Sequence, residues 1–368
     1  MSIDIGIVGL AKSGKTTLFN ALTRGKADTG SYTAESLTPH LGVTKVPEPR
    51  LKVLTDTLQP KRVVPAEVRH IDVGASVKTL AGDKGIGGEL LNQLINTATL
   101  IDVIRAFVDD SIPHIEGSLD VERDIATMGL ELTFSDLSII ERRLKRIETS
   151  LKGAKPPERQ DLLREQETLL KFKAGLEKDI PTRELGLTPG ETKLIANYQF
   201  LTVKPLLTVV NIGEEQLPGT ASLEAELNSR HAMGNYRIIT LCGKLEMELA
   251  QLDNRAAEEF RADFGLKESG LDRVTKLSYE LLGLISFFTT ASGEVKAWSI
   301  PNGTSALKAA GKIHSDMERG FIRAEVVSYD NLVKCGSLSE ARKHGVLRLE
   351  GKDYTIRDGD VITFLFNV

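Results

Sequence analysis

Cysteine is scarce. The 368 residues hold two, Cys242 and Cys335, far apart and without metal-ligand spacing. A disulfide scaffold and a thiolate metal centre are therefore excluded, and a reducing compartment is the simpler reading, a single disulfide being the alternative. Long apolar runs are also missing. None reaches the roughly 18 residues of a membrane span, so no membrane partner is expected. No signal stretch precedes the first apolar run, which starts at Ile3. Neither sign of charge dominates. With a net charge of −4, any attraction to nucleic acid must be argued locally, and DNA is not indicated. The 41% hydrophobic and 27% charged content is ordinary for a soluble globular protein. The length allows two or three domains with a large core. These exclusions leave a cytoplasmic enzyme or switch.

What is present begins at Gly9 to Thr17, GLAKSGKTT. An apolar run, Ile3 to Val8, precedes it, and LFNAL with helical spacing follows. Strand, glycine loop and helix in that order, with Gly9 and Gly14-Lys15-Thr16 at the right spacing, fit the phosphate-binding loop G-x-x-x-x-G-K-[ST]. Gly9 and Gly14 let the backbone curl so that its N–H groups, those of Lys12, Ser13 and Thr17 among them, face phosphate oxygens. The helix beginning near Lys15 adds its positive end. Lys15 reaches the β- and γ-phosphates, and the Thr16 hydroxyl ligates Mg2+.

The stretch Lys26 to His40 is polar and without period, and holds Ser31, Thr33, Ser36 and Thr38. It reads as a mobile loop near the phosphates or as an ordinary surface loop. Strands are expected at Leu41 to Val46 and at Val68 to Val73. The second of these carries Asp72, an acid where such proteins place the ligand of the magnesium water. Gly82 to Gly88, GDKGIGG, is either a second switch or a flexible connector. A helix over Leu90 to Ala98 and a buried strand over Leu100 to Val108 follow.

Leu137, Ile140, Leu144, Ile147 and Leu151 then form a heptad-like seam, GAKPPER breaks it, and Leu162, Leu169 and Leu176 recur at seven-residue steps. This predicts an antiparallel helical hairpin inserted in the nucleotide domain. From Glu141 to Lys178 it holds eleven Lys/Arg against seven Asp/Glu. Arg142, Arg143, Lys145 and Arg146 are expected together, away from the seam. The surplus reads as a nucleic-acid-binding arm or as a solvated helical face. Further strands are expected at Lys204 to Val210, running into Asn211-Ile212-Gly213-Glu214, and at Tyr236 to Leu241, ending in Cys242-Gly243-Lys244. Helices should cover Leu245 to Phe264 and Leu271 to Leu284. From Ile285 the pattern turns β-rich, with one helical piece around Ala306 to Arg319, as in a small α+β domain.

These residues resemble the YchF-type, or Obg-like, ATPases of the translation-factor group of P-loop GTPases. The likeness spans nearly the whole chain and is densest in SYELLGLISFFT, GTSALKAAGKIHSDMERGFIRAEVV and LEGKDYTIRDGDVITFLFNV. It implies an α/β P-loop domain with a mostly parallel sheet at 1–122 and 198–284. It also implies a helical hairpin at 123–197 and a C-terminal TGS domain of β-grasp fold at 285–368. In the base-reading motif Asn211 is kept, but Ile212 and Glu214 stand where guanine-reading proteins have Lys and Asp. An adenine preference is implied, with GTP still possible. The resemblance places Asn211, Ile212, Glu214, Cys242 and Gly243 around the base, and Thr16, Ser36 and Asp72 around the metal. Departures lie at Ala11-Lys12-Ser13, at Asp72-Val73-Gly74-Ala75-Ser76 and at Cys242, where Ser is usual. A ribosome or ribosomal RNA is the implied partner.

No glutamine follows Asp72 to hold the attacking water; Ser76 stands there, so intrinsic hydrolysis should be slow. His114, in DDSIPHIEG, either swings toward the γ-phosphate or is an exposed loop histidine. The reading is a slow, nucleotide-switched ATPase. The alternative is a non-hydrolysing scaffold that binds RNA or protein through its hairpin and TGS domains. A small-metabolite kinase is weakened because no lid segment is evident.

Overall fold

The computed structural model describes residues 3–25, 39–72, 88–231, 233–291 and 293–367. The expectations for Ser36, for the loop around it, and for Gly74, Ser76 and the glycine-rich run up to residue 87 lie outside the described residues.

The strands are β1 (Ile3–Gly9), β2 (His40–Lys45), β3 (Arg62–Val64), β4 (Glu67–Asp72), β5 (Thr99–Arg105), β6 (Leu206–Asn211) and β7 (Tyr236–Leu241). Then come β8 (Leu284–Ala291), β9 (Glu294–Pro301), β10 (Phe321–Ser328), β11 (Arg348–Glu350) and β12 (Asp360–Phe366). One sheet runs β2-β4-β1-β5-β6-β7. Within it β1, β5, β6 and β7 are parallel. Every residue of β5 and β6 is buried, which is why these strands read as mainly apolar runs. Parallel pairing brings the ends of β1, β5, β6 and β7 to one edge, where a ligand crevice is expected in an open α/β sheet.

The chain divides into two compact units, Ile3–Val43 with Arg69–Leu281, and Thr44–Val68 with Leu282–Val368. In the first, helices Val121–Leu151 and Pro156–Leu176 form the hairpin between β5 and β6. Asp120 caps the longer helix by accepting from the Arg123 N–H. That helix begins well before the Leu137 seam, because its first turns join the core of the sheet through Met128 and Leu132. Farther out the hairpin has its own core of Ile140, Ile147, Leu169, Phe172 and Leu176.

Arg143 departs from the expected solvated face. Its Nε and Nη2 donate to Glu165 at 2.6 and 2.8 Å, and its Nε also lies 3.1 Å from the Tyr198 hydroxyl. A guanidinium with a carboxylate in fork geometry is held there rather than released to solvent. Arg142, Lys145 and Arg146 are exposed. The helix expected over Leu245 to Phe264 is two, Gly243–Leu249 and Asn254–Asp263. Asp253 starts the second by accepting from the Ala256 N–H. The piece around Ala306 to Arg319 likewise breaks at His314, whose backbone is extended.

The second sheet runs β11-β10-β12-β8-β9-β3. The β8–β9 hairpin is antiparallel and β12 lies parallel to β8. Helix Ala306–Ile313 packs its buried alanines against this sheet beside Phe287, Val326 and Ile362. β3 extends the sheet by pairing in parallel with β9, so residues 44–68 sit with this unit and not with the remainder of 1–122. Arg50 reinforces the join. It donates to Asp358 at 2.7 Å and to Glu48 at 2.6 Å, and its guanidinium lies 5.4 Å from the Phe288 ring centre.

His70 on β4 is fully buried, and among the described residues neither ring nitrogen has a hydrogen-bond partner. Burial pushes its pKa from 6.5 down to about 4. Between those values the unfolded chain binds more protons, so stability rises with pH. The contribution is complete above about pH 6.5 and is lost as pH falls toward 4, roughly 3 kcal/mol in all. Urea midpoints should fall between pH 7 and 5 in the wild type. They should fall less in His70→Phe, and equal falls in both would refute the assignment.

Candidate nucleotide site

At the sheet edge the loop after β1 turns sharply. Gly9 has φ +147°, and a Cβ there would meet the Val103 carbonyl oxygen at 2.5 Å. Gly14 has φ +94°, and a Cβ there would lie 2.2 Å from Asn211 Nδ2. Both positions need glycine on conformational and steric grounds at once. Lys12, at the exposed tip, also adopts a left-handed conformation, with φ 64°. Ser13 is buried, and among the described residues its hydroxyl has no hydrogen-bond partner.

Lys15 opens helix Lys15–Thr23 and is 7% exposed. Its ammonium folds back over the loop, donating to the Gly9 and Leu10 carbonyls at 3.1 and 2.9 Å. Burial pushes its pKa down, partly offset by the charges of Asp72 and Asp102. Asp102, from the middle of β5, shifts the other way. Burial raises its carboxyl, Lys15 pulls it back, and Asp124 adds to the rise. A buried cation held over carbonyls, with acids on one side, is placed for an anion on the other.

Thr16 and Asp72 come together as expected. The Thr16 hydroxyl donates to Asp72 Oδ2 at 2.9 Å, and Asp72 is fully buried. His40, at the start of β2, brings Nδ1 to 3.7 Å from the same oxygen. One hydroxyl and one carboxylate form an all-oxygen set beside the phosphate loop. That set fits Mg2+, which takes one or two protein oxygens and completes its shell with water and phosphate. Thr17 follows on the same helix and is partly exposed.

Asn211, at the end of β6, is a clamp. Its Nδ2 donates to the Ser13 carbonyl at 3.0 Å, and its Oδ1 accepts from the Gly243 N–H at 2.9 Å. It therefore ties the phosphate loop to the turn after β7. Ile212 is 1% exposed and packs in the apolar core, so its side chain is not presented at the sheet edge. Glu214 is exposed and pairs with Lys244 at 3.3 Å. Cys242 is buried, and burial raises its thiol pKa.

His114 is not an exposed loop residue. Its side chain is 5% exposed, and Nε2 lies 2.9 Å from Asp124 Oδ2. Nδ1 accepts the Glu116 N–H at 3.1 Å, which puts the ring proton on Nε2, toward the carboxylate. His114 and Asp124 wall a small pocket with Leu10, Ala11 and Ser13 of the phosphate loop.

Sequence reasoning missed Asp102, Asp124, His40 and Lys244. Asp102 alone carried a signal, as a single acid inside an apolar strand.

Comparison with known proteins agrees with this geometry. Residues 4–129 match the family described as 50S ribosome-binding GTPase. Residues 284–367 match the C-terminal YchF GTPase family, described as a protein of unknown function. Over 370 residues the chain is 39% identical to the ribosome-binding ATPase YchF of Bacillus subtilis (strain 168), with 100% of both chains covered. It is 35% identical over 368 residues to the ribosome-binding ATPase YchF of Escherichia coli O157:H7, again with 100% of both covered. Among solved structures it is similar to the Schizosaccharomyces pombe YchF GTPase, with TM-score 0.84 and 27% identity, over 99% of this chain and 98% of that one. Phosphate loop, parallel sheet, inserted hairpin and full-length likeness converge, and the chain belongs to the YchF family.

Proposed function

We propose that this protein is a slow, magnesium-dependent ATPase of the cytoplasm that acts on the ribosome or ribosomal RNA. The observation that carries the reading is the buried Lys15 over the loop carbonyls, beside the Thr16–Asp72 pair. In it Gly9, Gly14 and the N–H groups of Lys12, Ser13, Lys15 and Thr17 cradle the phosphates. Lys15 sets its charge against them, and Thr16 and Asp72 hold Mg2+, with Ser36 as a further ligand. When bound, the metal neutralises charge that develops on the transferred phosphoryl group. Residues 1–122, apart from 44–68, and 198–284 serve nucleotide binding, 123–197 reach toward RNA, and 285–368 supply a TGS domain whose sheet residues 44–68 join. The β8–β9 hairpin, its crossing helix and the parallel β12 support the β-grasp assignment.

His114 acts as the water-positioning residue by leaving Asp124. The contact with Asp124 holds it back until then, which keeps the basal rate low. The same contact favours the second reading, a scaffold that binds nucleotide without hydrolysing it. Phosphate release by purified protein, with and without ribosomes, separates the two. His114→Ala should lower the rate about 10²-fold or more with ATP affinity unchanged, as for loss of a general-base or water-orienting group. No release under either condition leaves the scaffold.

The base preference follows from Glu214 and Ile212. Glu214 is engaged by Lys244, and Ile212 is core, so no free Asp-like acceptor stands ready for guanine. ATP should bind at least as tightly as GTP, and paired titrations measure it. Tight, selective GTP binding would sink the adenine assignment.

A further inference from the structure

A second cavity, of about 500 Å³, opens at the opposite end of the sheet. Leu206 and Tyr236, the first residues of β6 and β7, line it, whereas the phosphate loop leaves the far end of β1. The base of the hairpin closes its other side. Its volume falls within the range of small-molecule sites. Of the residues in the nucleotide reading only Asp102, beside Lys15, also reaches its wall.

Arg183 is the feature to explain. Its guanidinium stands over the Tyr236 ring, 5.6 Å from the ring centre. Its one hydrogen bond among the described residues is from Nη1 to the Thr202 carbonyl, at 3.4 Å. No carboxylate forms an ion pair with it there; Glu184 and Asp136 act only at longer range. Nε is buried and, among the described residues, has no hydrogen-bond partner. A fork of five N–H donors left so sparsely used is suited to a planar anion. The apolar wall beside it, Ile125, Leu132 and Leu206, suits a hydrocarbon body.

The acids in the wall narrow the ligand. Glu122 is paired with Arg230 and lies against His231, and Asp102 is the buried acid that faces Lys15. Asp179 and Glu184 are exposed in the lining, and among the described residues neither side chain has an ion-pair partner. They favour a positive group near the bound anion. We propose that this cavity binds a small zwitterion of the amino-acid type. Its carboxylate meets Arg183, its ammonium faces Asp179 and Glu184, and an apolar side chain lies against Ile125, Leu132 and Leu206.

Calorimetric titration of the full chain with leucine and phenylalanine tests this. Leucine is compared with 4-methylpentanoate, which lacks the amine, and with 3-methylbutylamine, which lacks the carboxylate; phenylalanine is compared with 3-phenylpropanoate and 2-phenylethylamine, and both amino acids with phosphoserine. Saturable binding of leucine or phenylalanine is expected, weakened at least about tenfold in either truncated analogue, since one lost charge-assisted contact is worth that much. Arg183→Gln should remove the preference for the carboxylate. Leu130→Trp, which fills the cavity mouth from a partly exposed position, should abolish binding while ATP binding stays intact. The proposal is overturned if no amino acid saturates below about 1 mM, the affinity of a weak single contact. It is equally overturned if the analogues bind as well, if phosphoserine binds best, or if Leu130→Trp changes nothing.

Discussion

Lys15→Ala is expected to abolish measurable ATP binding while leaving the empty protein as stable as before. The two halves of that result have one cause. The ammonium is buried over two carbonyls, and burial lowers its pKa, so its charge is held at a cost that offsets what its contacts contribute to the fold. With nucleotide present it is the point charge against the β- and γ-phosphates. A contact of that kind is worth roughly 1.5–3 kcal/mol, and lost charge neutralisation adds to it. Wild-type protein at one hundred times its Kd for ATP gains about 2.7 kcal/mol of stability, seen as a rise in Tm. The variant should show no rise at any ATP concentration and the same Tm without it. Thr16→Ala should instead keep ATP binding and lose its dependence on Mg2+, because it removes one oxygen of the pair with Asp72. A Lys15→Ala protein that binds ATP as the wild type does would make the loop a structural turn.

The second large effect concerns the proposed RNA contact. Arg142, Lys145 and Arg146 are the exposed cations on the hairpin's first helix, whereas Arg143 is committed to Glu165 and Tyr198. Ribosome binding should fall steeply with salt, and each phosphate contact removed should flatten the log–log slope by roughly 0.7–0.9. Changing Arg142, Lys145 and Arg146 to Glu should reduce the loss between 50 and 200 mM salt on the order of 30-fold, with ATP binding unchanged. Arg143→Glu should behave otherwise. It sets two carboxylates against each other inside the hairpin and should lower its melting temperature. Co-sedimentation across a salt series, with circular dichroism melts, separates the two classes. Salt-insensitive binding, or wild-type binding by the triple variant, leaves the hairpin as a solvated packing element.

The outcome at Arg143 shows what sequence could not tell. Spacing along one helix puts a residue on a face, but which face meets the second helix depends on a partner, Glu165, whose side chain is invisible to periodicity. The phosphate loop was legible because its glycines answer to local backbone demands, at Gly9 and Gly14. β7 was legible to the residue because a short, mainly apolar run lies between turn residues on both sides. Helix Pro49–Leu58 went unread: its buried residues are only Leu51 and Leu54, too few for a clear stripe. β3 was unread because three residues carry no period. In the site, Thr16 with Asp72 followed from motif and strand end. Asp124 and Lys244 did not, since each matters through one long-range contact.

The pairing of β3 with β9, and of Arg50 with Asp358, sets a clock on biosynthesis. Arg50 and Asp358 are 308 positions apart in the chain. A ribosome adding 5–20 residues per second takes roughly 15–60 s to make the second after the first. β3 itself waits for β9, since Arg62 pairs with Glu294, and by the time β9 is made the loop, the hairpin and β5 to β7 have preceded it. The N-terminal part of this chain thus waits on its C-terminal part. A chain stopped before β9 would carry Val63 and Val64 without the strand they pair with, leaving their backbone groups open to pairing with another chain.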